Sequence, residues 1–98
     1  MDREAIIARL KDNEPALRAR GVAHAALFGS RARGDNRPDS DIDIMIETRP
    51  DALQDVYDYV ALKSYIAGLF KEPVDVIDRG FLKPLVRPPV ETEAVYAF

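Results

Sequence analysis

The chain contains no cysteine, so it can form neither a disulfide nor a thiolate metal site. Its one histidine, His24, leaves zinc without its usual nitrogen and sulfur donors. A bound metal is therefore expected to be a hard, oxygen-liganded cation such as magnesium or manganese. No apolar run approaches the ~20 residues of a membrane span. The opening Met-Asp-Arg-Glu is too charged for a signal peptide, and a cytoplasmic location is expected. A surplus of positive charge is also missing. The formal net charge is −3, whereas broad nucleic-acid binding needs a basic face, so no direct nucleic-acid partner is expected.

What is present fits a single domain spanning residues 1–98, with 47% hydrophobic and 32% charged residues. A chain this short buries a modest fraction of its surface, and an exposed apolar face that docks on a partner would suit it. There are no internal repeats and no linker. The positive charge is unevenly spread: Arg31, Arg33 and Arg37 cluster beside Gly29-Ser30.

The pattern predicts a helix over 2–12, capped by Asp2, with Ile6, Ile7 and Leu10 on one face. Pro15 is acceptable in a first turn but not inside a helix, so a break near Asp12-Asn13 and a second short helix to about Arg20 follow. Val22 to Phe28 reads as a buried strand ending at Gly29-Ser30, and 31–40 as a loop with one helical turn after Ser30. Asp41 to Glu47 alternates, with Ile42, Ile44 and Ile46 on one face and Asp41, Asp43 and Met45 on the other. A helix is expected over about 52–69. Its core stripe is read as Leu53, Val56, Tyr57, Val60, Ser64 and Ala67, widened by Ala61, Tyr65 and Leu69. Val74, Val76 and Ile77 mark a third strand. Pro84, Pro88 and Pro89 exclude one regular helix over 80–93, and Ala94–Phe98 is expected to close the sheet.

Three features carry chemistry. Glycine at position 29 lets the backbone approach a ligand closely, and a helical turn after it would offer free N–H groups and the Ser30 hydroxyl to phosphate. Asp41 and Asp43, alternate residues of a strand, point the same way roughly 6.6 Å apart. They could share one cation, or hold two as in two-metal phosphoryl transfer; alternatively they are the solvated face of an ordinary strand. Asp75 lies in a second apolar strand, Val-Asp-Val-Ile-Asp, where it could stand beside that pair. Three carboxylates so close stay ionised only around a cation, and Asp75 could then orient or deprotonate an attacking hydroxyl. Asp78 is the competing candidate, on the opposite face. Arg33, just before Gly34, is the best choice for a phosphate or loop-anchoring role. Arg31 and Arg37 are either further phosphate ligands or solvated charges. His24 is better read as structural or partly exposed than as a general base, and Tyr57, Tyr59 and Tyr65 as helix-face residues.

Gly29-Ser30, ten residues, then Asp41-Ile42-Asp43 resembles the signature of the DNA polymerase β-like nucleotidyltransferase superfamily. The fuller string Gly-Ser-Arg-Ala-Arg-Gly-Asp-Asn-Arg-Pro-Asp-Ser-Asp-Ile-Asp closely resembles the minimal nucleotidyltransferases, the MntA-like antitoxins. That resemblance implies an α/β (α+β) fold: a small mixed sheet with helices packed on one side. It implies catalytic and metal-binding roles for Asp41, Asp43 and Asp75, with two Mg2+ or Mn2+ ions, and nucleotide phosphates at Gly29, Ser30 and Arg33. It further implies an antitoxin of a type VII toxin–antitoxin system. Such a protein, in a hetero-oligomeric complex, transfers AMP from ATP to a tyrosine of a HEPN-domain ribonuclease toxin. Two alternatives stay open: neutralisation by binding and occlusion alone, and transfer to a small acceptor of the aminoglycoside type. Larger relatives carry a further domain that helps to hold base and acceptor. This chain has no room for one, so nucleotide choice is expected to be loose or completed by the partner.

Overall fold

Local chemistry sets where the first elements begin and end. Asp2 accepts a hydrogen bond from the Ala5 N–H (2.8 Å) and starts helix α1, Arg3–Asp12. Pro15 falls in the first turn of α2, Glu14–Ala19, where its missing N–H is not needed. The Asn13 side chain donates back to the Arg9 carbonyl at 2.8 Å, which closes α1 at the break that the proline demands. The computed structural model describes residues 1–34, 37, 40–52, 55–79 and 94–98. Leu53 and the proline-containing stretch 80–93 lie outside the described residues.

The remaining elements are β1 Val22–Phe28, α3 Ser30–Arg33, β2 Ile42–Thr48, α4 Val56–Ala67, β3 Val74–Asp78 and β4 Val95–Tyr96. The four strands form one mixed sheet in the order β3-β2-β1-β4. β1 pairs antiparallel with β2 and β4, and β2 pairs parallel with β3 across the α4 crossover. An irregularity in β1 between Val22 and His24 shifts the register against β2. Such a bulge changes the side-chain parity, and so Val22 joins Ala25 and Leu27 in the core despite its even number.

The core lies between one face of the sheet and the helices. Ile42, Ile44, Ile46, Leu27 and Val76 from the sheet meet Ile6 and Leu10 of α1, Leu17 of α2, and Leu62 and Ile66 of α4. The small mixed sheet with helices on one side is therefore the observed architecture. Among the described residues no helix is long and apolar enough to cross a membrane.

Helix α4 departs from its expected stripe. Leu62 and Ile66 are the buried positions, backed by the partly buried Tyr65 and Leu69, whereas Val56, Tyr57 and Val60 stand in solvent. The reason is composition: α4 is apolar nearly all round (VYDYVALKSYIA), so spacing alone does not select a face. Leu62 and Ile66, four residues apart, take the core in place of the smaller Val56 and Val60. The helix also starts four residues later than expected, where the Asp55 side chain accepts from the Asp58 N–H at 3.0 Å. Tyr65 lies under the Arg20 guanidinium, 4.2 Å from ring centroid to carbon.

The turn into β1 is tightly specified. Gly21 has φ +101°, its carbonyl accepts from the Arg49 N–H at 2.8 Å, and an added Cβ would stand 2.4 Å from the Ala52 Cβ. Gly21→Ala therefore combines backbone strain with a clash and is expected to cost about 1–3 kcal/mol. Urea unfolding checks this as a lower midpoint at unchanged slope; a midpoint equal to wild type would contradict it.

Candidate functional site

The site assembles where β1 ends and β2 begins. Gly29 follows β1 directly with φ +76° and ψ −155°, a conformation essentially closed to other residues. The N–H groups of Ala32 and Arg33 both return to its carbonyl, each at 3.1 Å, which winds the chain into the single turn α3. Antiparallel pairing places Asp43 opposite Phe28, the residue before Gly29. The approach is close: a Cβ on Gly29 would lie 2.5 Å from Asp43 Oδ2. Glycine is thus required by its own dihedral angles, and a Cβ there would in addition push the Asp43 carboxylate aside.

Parallel pairing brings in the third carboxylate. Asp43 of β2 is the register partner of Asp75 of β3, and paired residues of neighbouring strands share a face about 4.8 Å apart. That face is opposite the isoleucine core. Asp41 precedes β2 and is exposed, Asp43 is half-buried, and Asp75 is exposed. The Asp43 carboxyl is pushed above its ordinary range, first by burial, then by the charges of Asp75 and Asp41, with Arg33 pulling in the opposite direction. These are the interactions expected of three carboxylates and one guanidinium around a common corner.

The donor set of that corner is all oxygen, which suits magnesium or manganese and not a softer metal. It is not a ready-made cage: among the described residues no three such ligands are gathered tightly enough to hold an ion. Three carboxylates at a corner built by the β2–β3 pairing are hard oxygen donors, so the residue types fit the group.

The other candidates divide. Asp78 lies on the opposite face from Asp75, is 5% exposed, and accepts from the Thr48 hydroxyl at 2.8 Å; it belongs to the core side of the sheet. His24 is exposed, with Nδ1 3.3 Å from the Phe98 carbonyl and its ring edge-on to Tyr96. It lies five residues before Gly29, roughly 16 Å along the strand, and outside the site. Arg33 and Arg37 are both exposed; the Arg37 N–H donates to Ser40 Oγ at 3.0 Å. Arg31 is the surprise. It is 4% exposed, and its guanidinium donates to the carbonyls of Met1 and Ser40 and to Glu72 Oε1. A one-turn helix has no periodicity to flag a buried arginine, and nothing in the sequence marks Glu72 as its partner. Among the described residues, those lining a cleft of about 430 Å³ between Met1–Glu4 and Arg31, Arg33 and Gly34 include no aromatic side chain.

Because the folded protein holds the Asp43 proton more tightly than the unfolded chain does, ionisation of this group opposes folding. The unfavourable contribution is absent below the unfolded value near 3.8. It grows as the pH rises through the raised folded value and is complete above it. In metal-free buffer Asp43→Asn should therefore melt above wild type at pH 7, with the gap narrowing toward pH 3. Thermal unfolding at both pH values checks this; a gap that widens in acid would contradict it.

The model of the nucleotidyltransferase domain family matches residues 4–97. The chain is 31% identical over 94 residues to protein adenylyltransferase MntA of Thermococcus cleftensis, an alignment covering 95% of this chain and 93% of that one. A solved structure provisionally described as a minimal nucleotidyltransferase superposes with a TM-score of 0.79 at 32% identity, covering 97% of this chain and 95% of that one. A second, the MNT antitoxin in complex with a tri-AMPylated HEPN toxin of Shewanella oneidensis, superposes with a TM-score of 0.62 over 90% of this chain and 68% of that one. At 20% identity the second likeness is one of fold alone. With the signature turn, the paired carboxylates and nearly the full length matched, this chain belongs to the nucleotidyltransferase domain family, is one of its minimal MntA-like members, and is a nucleotidyltransferase.

Proposed function

We propose that this nucleotidyltransferase is an antitoxin that moves AMP from ATP to a tyrosine hydroxyl of a partner HEPN-domain toxin, with magnesium held by Asp41, Asp43 and Asp75. The observation that carries this reading is the pairing of Asp43 with Asp75 directly against the Gly29 turn. The name of the Thermococcus cleftensis relative and the AMPylated toxin bound by the Shewanella neighbour support protein hydroxyl as the acceptor class.

Each residue has a task in that reaction. Gly29 leaves room for the phosphate chain, and the Ser30 hydroxyl and the first amides of α3 donate to phosphate oxygens. Arg33, whose charge already acts on Asp43, supplies a guanidinium for the triphosphate. Asp75 accepts the proton of the tyrosine hydroxyl. The tyrosine oxygen forms a bond to the α-phosphorus as the bond from that phosphorus to the bridging oxygen of the β-phosphate breaks, and pyrophosphate leaves. Bound magnesium would offset the charge that develops on the attacking and leaving oxygens.

The test combines the chain with α-labelled ATP, magnesium chloride and a HEPN-domain toxin. Label is expected on a toxin tyrosine and is expected to disappear with EDTA. Asp75→Asn should slow transfer by about 10²–10⁴-fold, the range for loss of a general base, and Asp43→Asn should abolish magnesium-dependent labelling. If wild type and Asp43→Asn silence the toxin equally and without label, occlusion replaces catalysis as the mode of neutralisation. Label confined to small molecules would move the acceptor to the aminoglycoside-type class.

A further inference from the structure

Arg31 lies outside the proposed chemistry, yet its surroundings tie together the three segments that form the site. The residue belongs to α3, the turn that follows Gly29, and its side chain is 4% exposed. Nη2 donates to the Ser40 carbonyl at 2.7 Å and to Glu72 Oε1 at 2.8 Å, and Nη1 donates to the Met1 carbonyl at 2.9 Å. Ser40 is the residue immediately before Asp41. Glu72 is immediately before Pro73, whose carbonyl accepts from the Ile42 N–H at 2.9 Å, and Ile42 sits between Asp41 and Asp43. One guanidinium thus connects the phosphate turn to the start of β2 and to the start of β3, the strand that carries Asp75.

We infer that Arg31 is a positioning residue for nucleotidyl transfer: it fixes the distance between the Gly29-Ser30 turn and the Asp41, Asp43 and Asp75 carboxylates, so that a metal and a triphosphate can be engaged together. The inference rests on the function proposed above and adds to it a residue that touches neither nucleotide nor metal. A guanidinium is suited to the task because its planar fork reaches two acceptors at fixed angles, whereas a lysine ammonium is a single point on a flexible stem. Arg31→Lys therefore keeps the charge and removes the span.

Two measurements on the full chain test this. The first needs no substrate. Hydrogen exchange of the Ile42 amide, which depends on Pro73 staying in place, should quicken at least about tenfold in Arg31→Lys, while the core amides of Leu27 and Ile44 exchange as in wild type. The second uses labelled ATP, magnesium and the partner toxin. Arg31→Lys should lower kcat by about 10–100-fold, the scale of an ångström of misplacement, while changing the KM for ATP less than threefold. The magnesium concentration for half-maximal rate should rise. If Arg31→Lys does not fold, Glu72→Gln is read in the same two ways, since the partly exposed Glu72 tolerates substitution more readily. An unchanged Ile42 exchange rate in a folded variant overturns the inference whatever the activity, as does an unchanged kcat. Should wild type show no transfer while the exchange pattern responds as expected, the proposed function fails and the structural coupling through Arg31 stands.

Discussion

The parallel pairing of β2 with β3 is the constraint on which the site depends. It sets Ile42 beside Val74, Asp43 beside Asp75 and Ile44 beside Val76, so one register decides both which side chains enter the core and which carboxylates meet. A slip of one residue would turn every side chain of β3 to the other face, burying Asp75 and exposing Val76. Burial of an isoleucine or valine side chain is worth about 1.5–3 kcal/mol. Val76 in the core and Val74 packed against it favour the observed register of β3. Two unit charges about 4 Å apart repel by only ~1 kcal/mol in water and ~4 kcal/mol under the screening of a protein surface. The core therefore wins, and Asp43 stands half-buried beside Asp75, its carboxyl raised first by that burial and then by the charges of Asp75 and Asp41.

The same balance explains why the corner is assembled without being a closed cage. The backbone delivers the three aspartates to one place, and the side chains of Asp41 and Asp75 remain exposed. The Gly29 turn is held from several sides. Gly29 is fixed by its own dihedral angles and by contact with Asp43, and α3 is pinned by Arg31 at one end of the site. The arrangement sets a constrained glycine turn against an acidic corner.

Much of this was legible in the chain itself because the relevant signals are local. Asp2, Pro15 and Gly21 mark the ends of the first two helices, alternation marks β2, and the spacing from Gly29-Ser30 to Asp41 and Asp43 brings a turn and a strand together by sequence alone. The stripe of α4 was not legible. In a helix apolar nearly all round, spacing offers several equivalent faces, and packing selected Leu62 and Ile66 while leaving Val56, Tyr57 and Val60 in solvent. Asp43 and Asp75 stand thirty-two residues apart in the sequence; their types suggest a meeting, but the register that produces it is a property of the sheet.

The sequence by itself determined which chemistry is open to the chain: with no cysteine and one histidine, any metal must be held by oxygen donors, and a glycine at position 29 permits a turn that other residues adopt only with strain. These follow from residue type and from spacings of a dozen residues or fewer, over which chain geometry is nearly fixed. Only the tertiary structure decided that Asp75 and not Asp78 joins the corner, that α4 turns Leu62 inward, and that Arg31 is a buried strut and not a solvated charge. Those outcomes depend on long-range contacts, the β2–β3 register and the approach of Glu72 to α3, and such contacts are set by the competition of whole faces for the core.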